Sequence, residues 1–180
     1  MKLLLIRHGE TTGDIEDRYG GSYDDHLTER GEAQIQGTAA QLEEKYIDKM
    51  YVSTLIRAQE SAEIINSVTQ TSIEFLDGLR ERNYGVLGGL TKDEALERYP
   101  EAVELHKDPT NTDPEGESLE HFTDRVIETF QAITSQGEDT VAIVSHGGPI
   151  KVILKHLNQP IPEKLVDGEI IELMLPDSYV

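Results

Sequence analysis

The sequence contains no cysteine. That absence excludes a disulfide framework, a thiolate metal site and a cysteine nucleophile. Long apolar runs are missing as well: no stretch approaches the length of a membrane-spanning helix, and the N-terminal MKLLLI is too short for a signal-peptide core. The expectation is a soluble cytoplasmic protein with no membrane association. Positive charge is the third scarcity, with 16 Lys and Arg against 35 Asp and Glu and a net charge of −19. Phosphate backbones and anionic lipid surfaces are held by basic faces, so neither nucleic acid nor membrane is expected as a partner.

What is present suffices for one folded domain. A chain of this length buries roughly 70% of its unfolded surface, and its apolar residues, 37% of the total, come in runs rather than scattered. A disordered acidic chain is excluded on that ground. A protein this acidic that acts on an anion must gather cations locally. Only 8 of the cations are Arg, so their positions are informative.

Leu3–Ile6 is an apolar run ending in Arg7-His8-Gly9-Glu10, the pattern of a buried parallel strand delivering a loop. Residues 13–26, rich in Gly and Asp, read as a loop. Thr28 caps a helix expected to run to about Tyr46. Met50–Ser53 is a second strand, and Ser53 or Thr54 can cap the helix after it, in which Leu55, Ala58, Ala62 and Ile65 recur at helical spacing. Ile73–Leu76 is a third strand, opening into a loop over Asp77–Gly85. Thr91–Tyr99 reads as a short helix stopped by Pro100, 107–118 as the longest loop, and Glu117–Ser135 as an amphipathic helix. Thr140–Ser145 is the clearest strand, Ile150–Leu157 a helix and Glu169–Leu175 a last strand. Alternating strands and helices predict a single α/β domain over 1–180, a three-layer sandwich with helices on both faces of a mostly parallel sheet.

Two strands end alike: Arg7-His8-Gly9 and Ser145-His146-Gly147 each place His then Gly where ligands sit in an open α/β sheet. If those strands are neighbours, the two imidazoles face each other. Arg57, just inside the helix after the second strand, and Arg80 and Arg82, flanking Glu81 after the third, bring guanidinium groups to the same edge. Such donors suit a tetrahedral oxyanion. Glu10 and Glu81 are both candidate acids, and composition does not choose between them.

The Arg7-His8-Gly9-Glu10-Thr11 segment at a strand end resembles the signature of the histidine phosphatase superfamily, the phosphoglycerate mutase-like family. In the family's order, Ser53–Ser61 resembles its second-arginine motif, Leu79–Gly85 the segment carrying its acid, and Val144–Gly148 its second-histidine motif. The resemblance spans residues 2 to about 155. It implies that His8 attacks phosphorus to form a phosphohistidine. Arg7, Arg57 and His146 would hold the non-bridging oxygens, with Gly147, Gly21, Arg82 and Asp14 as further substrate contacts. Glu81 would protonate the departing alkoxide and then activate water, and neither metal nor other cofactor would be needed. Asp14 stands where the family often has Asn, Gly13 where Trp is frequent, and Gly20-Gly21 where a side-chain donor is common.

The resemblance covers both phosphatases and mutases. Residues 91–118 carry three cations, Lys92, Arg98 and Lys107, among nine acids, a poor setting for a second phosphate. Glu115-Gly116-Glu117-Ser118 resembles the smaller phosphatase branch, whereas Glu81–Gly85 is close to the mutase form. The favoured expectation is a phosphomonoesterase acting on small phosphorylated metabolites, as monomer or homodimer. The alternatives are a mutase requiring 2,3-bisphosphoglycerate and a catalytically weak relative that binds phosphorylated ligands.

Overall fold

In a computed structural model, described here over residues 1–176, five strands form one sheet in the order β3-β2-β4-β1-β5. They are β1 (Lys2–Arg7), β2 (Lys49–Ser53), β3 (Ser72–Leu76), β4 (Thr140–Ser145) and β5 (Ile170–Met174). The first four are parallel, and β5 runs antiparallel to β1 at the edge. The domain read over 1–180 includes 177–180, which lie outside the described residues.

Alternation along the central strands explains the three layers. Leu3, Leu5, Tyr51, Val141 and Ile143 face one side, where α6 (Leu119–Thr134) and α7 (Gly147–His156) bury Phe122, Val126, Phe130, Ile150 and Leu154 against them. Leu4, Ile6, Met50, Val52, Ala142 and Val144 face the other, covered by α2 (Glu29–Leu42) and α3 (Ile56–Thr69). Because β1 and β4 are apolar on both faces, they sit at the centre of the sheet. A smaller core of Tyr19, Leu87, Ala95 and Ala102 holds α4 (Lys92–Arg98) and α5 (Pro100–His106) beyond the strand ends.

Four of the differences from the expected elements bear on the fold. The loop at 13–26 contains a one-turn helix, α1 (Thr12–Ile15), closed by a reciprocal capping box between Thr11 and Asp14. Pro100 does end α4, but it also starts α5 at the N-terminal position where a missing N–H costs nothing. The helix α7 begins at Gly147 rather than Ile150, since Pro149 falls in the first turn and the glycines before it do not bar helical φ and ψ. Helix α2 ends at Leu42, its last core contact, short of Tyr46.

Candidate active site

Strands β1 and β4 pair in register with Arg7 opposite Ser145, so His8 and His146 leave adjacent strand ends side by side. Their rings lie 5.0 Å apart, centroid to centroid. Arg57, in the first turn of α3, enters between them: its Nε–H lies 3.2 Å from both His8 Nε2 and His146 Nδ1.

The partners of each ring fix its tautomer. Nδ1–H of His8 donates to the carbonyl of Gly9 at 2.7 Å, which leaves Nε2 as the lone-pair nitrogen. In His146 the roles reverse, with Nδ1 accepting from Arg57 and Nε2–H donating to Ser53 Oγ at 2.7 Å. Burial, and after it the Arg57 guanidinium, holds both imidazoles well below their ordinary value of 6.5. Each ring is therefore neutral at physiological pH.

Arg57 is 4% exposed and locked in place. Its Nη1 donates to Asp25 at 2.8 Å and to the Tyr23 carbonyl at 2.9 Å, and Nη2 to the Gly21 carbonyl at 2.8 Å. Gly21 adopts φ 83°, which turns that carbonyl inward at a conformation side chains resist. The expected cap of α3 does not form: Leu55 is the N-cap without a side-chain bond, because Ser53 serves His146 and Thr54 donates to Asp77.

These groups open onto a cleft of about 630 Å³ lined by Arg7, His8, Arg57, Glu81 and Gly147. The α7 N-terminus lies at its wall through Gly147 and Gly148, adding the positive end of its dipole and the amide N–H of Gly147. Of the two candidate acids, Glu81 lines the cleft, held by the N–H groups of Gly148 at 2.8 Å and Arg82 at 2.9 Å. Glu10 turns away, accepting from the Thr28 hydroxyl and facing Arg30. Tyr84 stands at the wall with its phenol pushed up to about 12 by burial, and so stays protonated.

The remaining expected contacts divide. Arg7 lines the cleft, donates to the Leu165 carbonyl and faces Asp167 at 3.1 Å, while its buried Nε–H has no partner among the described residues. Arg82 reaches the cleft wall, but its guanidinium donates to the carbonyls of Glu117, Pro109 and Asn111, clamping the 107–118 loop. Asp14 is at the rim with one carboxylate oxygen accepting from both the N–H and the hydroxyl of Thr11. His146, 1% exposed, lies behind Arg57 rather than on the cleft surface. Arg80 falls on the far side of Glu81, donating to the Ser22 carbonyl. Asp25 and Ser53 were not anticipated. Ser53 ends a parallel strand at the functional edge and could have been found by that position, whereas Asp25 is one carboxylate among 35.

Comparison with known proteins adds the context. The sequence model of the histidine phosphatase superfamily (branch 1) matches residues 3–170. A 2,3-bisphosphoglycerate-dependent phosphoglycerate mutase of Cytophaga hutchinsonii is 32% identical over 170 residues, 91% of this chain and 80% of that protein. The uncharacterized phosphatase PhoE of Bacillus subtilis is 32% identical over 162 residues, 89% of this chain and 79% of its own length. The solved structure of Bacillus stearothermophilus YhfR superposes with a TM-score of 0.87 at 30% identity, covering 98% of this chain and 92% of that one. Among the described residues no helix is long and apolar enough to cross a membrane, and no three His, Asp or Glu side chains are grouped to hold a metal ion.

Proposed function

The chain belongs to branch 1 of the histidine phosphatase superfamily, a group of phosphatases and phosphoglycerate mutases, and from that premise we propose that it is a metal-independent phosphomonoesterase working through a phosphohistidine. One observation carries the reading: a neutral imidazole anchored through Nδ1 presents its lone pair at Nε2, beside a buried guanidinium and a helix N-terminus.

In the first step the Nε2 lone pair of His8 attacks phosphorus and the bond to the leaving oxygen breaks. Charge on the non-bridging oxygens is met by Arg57, by the unpartnered Nε–H of Arg7 and by the Gly147 amide, with His146 positioning Arg57 from behind. Glu81, as the carboxylic acid, gives its proton to the departing alkoxide. In the second step water attacks the phosphohistidine, Glu81 takes its proton, the P–N bond breaks, and neutral His8 returns.

A hydrolase is favoured over a mutase by what the 91–118 cations do. Lys92 lies on the Tyr19 ring, Arg98 on the Tyr99 ring, and Lys107 pairs with Glu104, so none of them lines the cleft to hold a second phosphate. The mutase reading rests on the similarity to the Cytophaga hutchinsonii protein. The deciding assay compares phosphate release from p-nitrophenyl phosphate with conversion of 3-phosphoglycerate to 2-phosphoglycerate in the presence of 2,3-bisphosphoglycerate. We expect release to dominate and to survive EDTA. Isomerisation outrunning release assigns the mutase. No turnover on either leaves a phospho-ligand-binding protein, and loss with EDTA points to a different chemistry.

Gly148 offers a sharper check on Glu81. A Cβ there would overlap the Glu81 carboxylate, so Gly148→Ala must displace the acid. Misplacing a catalytic group by about 1 Å costs on the order of 10²-fold. We expect a loss of that size in kcat/KM, which reports only the first step, on alkyl phosphates and a smaller one on p-nitrophenyl phosphate, whose leaving group needs little protonation. Equal losses on both would remove Glu81 from the acid role.

A further inference from the structure

The cleft does not end at the catalytic groups. Leu119 at the start of α6 and Lys151 and Val152 on α7 line it, and the same three residues line a second groove of about 410 Å³ running on between the two helices. Its α6 wall is Leu119, Thr123 and Ile127, a single helical stripe separate from the core-facing Phe122, Val126 and Phe130. Ile161 lines it as well, and both Leu119 and Ile161 are exposed, at 37% and 46%.

Its charge is equally unusual for this protein. Among the described residues no carboxylate lines the groove, although the chain carries 35. Lys151 and Lys155 stand one turn apart along it, and neither has an ion-pair partner among the described residues, where most other cations do. An apolar trough with two ammonium groups along it, opening from a cleft lined by Arg7 and Arg57, fits an elongated anion.

We propose that this groove is the subsite for the alcohol end of the substrate, and that the substrate is a phosphomonoester with a flat apolar body and a second anion. The proposal rests on the phosphatase reading above and narrows it to a substrate class. Helix α7 supplies the ruler. Gly148, whose amide holds Glu81, marks the catalytic end, and Lys155 lies seven residues further on. At 1.5 Å per residue the second anion sits about 10 Å from the phosphate, with the apolar body between them against Leu119, Val152 and Ile127.

The test uses phenyl phosphate, 2-naphthyl phosphate and 6-carboxy-2-naphthyl phosphate as substrates, and the phenyl and carboxynaphthyl phosphonates as non-hydrolysable ligands in calorimetry. Burying a second ring should lower KM about tenfold from phenyl to naphthyl. Ile161→Asn should reverse that gain and leave phenyl phosphate unchanged. Lys155→Glu should raise KM and the phosphonate Kd about fivefold for the carboxylated compounds only, with Lys155→Arg restoring both. Equal Kd values for the two phosphonates, or a Lys155→Glu effect shared by phenyl phosphate, would overturn the proposal. So would a change of oligomeric state in sedimentation with every KM unchanged, which would assign the groove to a second copy of the chain. Selective phosphonate binding without turnover that depends on His8 would sink the phosphatase reading and leave the subsite standing.

Discussion

Replacing His8 by Ala is expected to lower kcat for p-nitrophenyl phosphate at least about 10⁴-fold, because removing a covalent nucleophile removes the whole two-step path rather than one contribution to it. The fold should survive. His8 lies in the ladder through its backbone, whose N–H donates to Ser145 at 3.1 Å, and Arg57 Nε–H keeps His146 as an acceptor. Quenched wild-type reactions should contain an acid-labile, base-stable phosphoprotein, and those of the variant none. Phosphate release persisting undiminished would show that the phosphoryl group never passes through His8.

The same residue sets the low-pH behaviour. Attack requires the neutral ring, and burial with Arg57 beside it holds His8 well below 6.5. Activity should therefore persist as pH falls through 6.5 and fail only at lower pH, where the ring finally protonates. Stability moves differently. Unfolded histidine binds a proton near pH 6.5, whereas folded His8 and His146 resist it. The unfolded state thus holds more protons in that window, and the stability these two groups confer, complete above it, is lost progressively as pH drops below 6.5. Urea unfolding and kcat/KM measured across the same pH range separate the two effects.

Much of this site was legible because period and position carry the information. Leu3–Ile6 and Thr140–Ser145 read as buried parallel strands, and a polar residue just past such a strand lies on the functional edge whatever its neighbours. His8, His146 and Arg57 followed from that rule. What stayed hidden depends on where side chains finish after packing. Arg82 is placed by sequence beside Glu81, yet its guanidinium turns to three loop carbonyls because residues 107–118 fold back over it. Glu10 and Glu81 look alike in a chain of 35 acids, and only tertiary contacts separate them: Thr28 and Arg30 draw one outward, and the α7 N-terminus draws the other in. Asp25 has no local pattern at all, since its role comes from facing a residue 32 positions away.

The net charge takes on a different meaning once these contacts are known. The protein's field repels anions at long range, and screening does little for a group held inside a cleft. Attraction must be built at contact distance from buried donors that cannot swing out to meet surface carboxylates. The Arg57 guanidinium fits that need, closed off by carbonyls of 20–25 and offering its Nε–H toward His8.

Arg57→Ala is accordingly expected to give the second large loss, about 10³-fold in kcat, the scale for deleting a preorganised donor aimed at developing oxyanion charge. Arg57→Lys should recover little of it. An ammonium is a point charge that cannot bond both imidazoles and three further acceptors in one plane. The substitution also strands Asp25, 7% exposed and ion-paired with Arg57 at 2.8 Å. Leaving a buried carboxylate unpaired costs roughly 3–5 kcal/mol, so the variant should unfold at distinctly lower urea concentration. Adding Asp25→Asn removes the stranded charge and should return most of that stability. It should return none of the activity, because the donor at His8 is still missing. That divergence separates a catalytic guanidinium from one that merely holds the 20–25 loop in place. If the double variant regains kcat along with stability, Arg57 serves the fold, and the charge of the transferring phosphoryl group must be met by Arg7 and the α7 N-terminus alone.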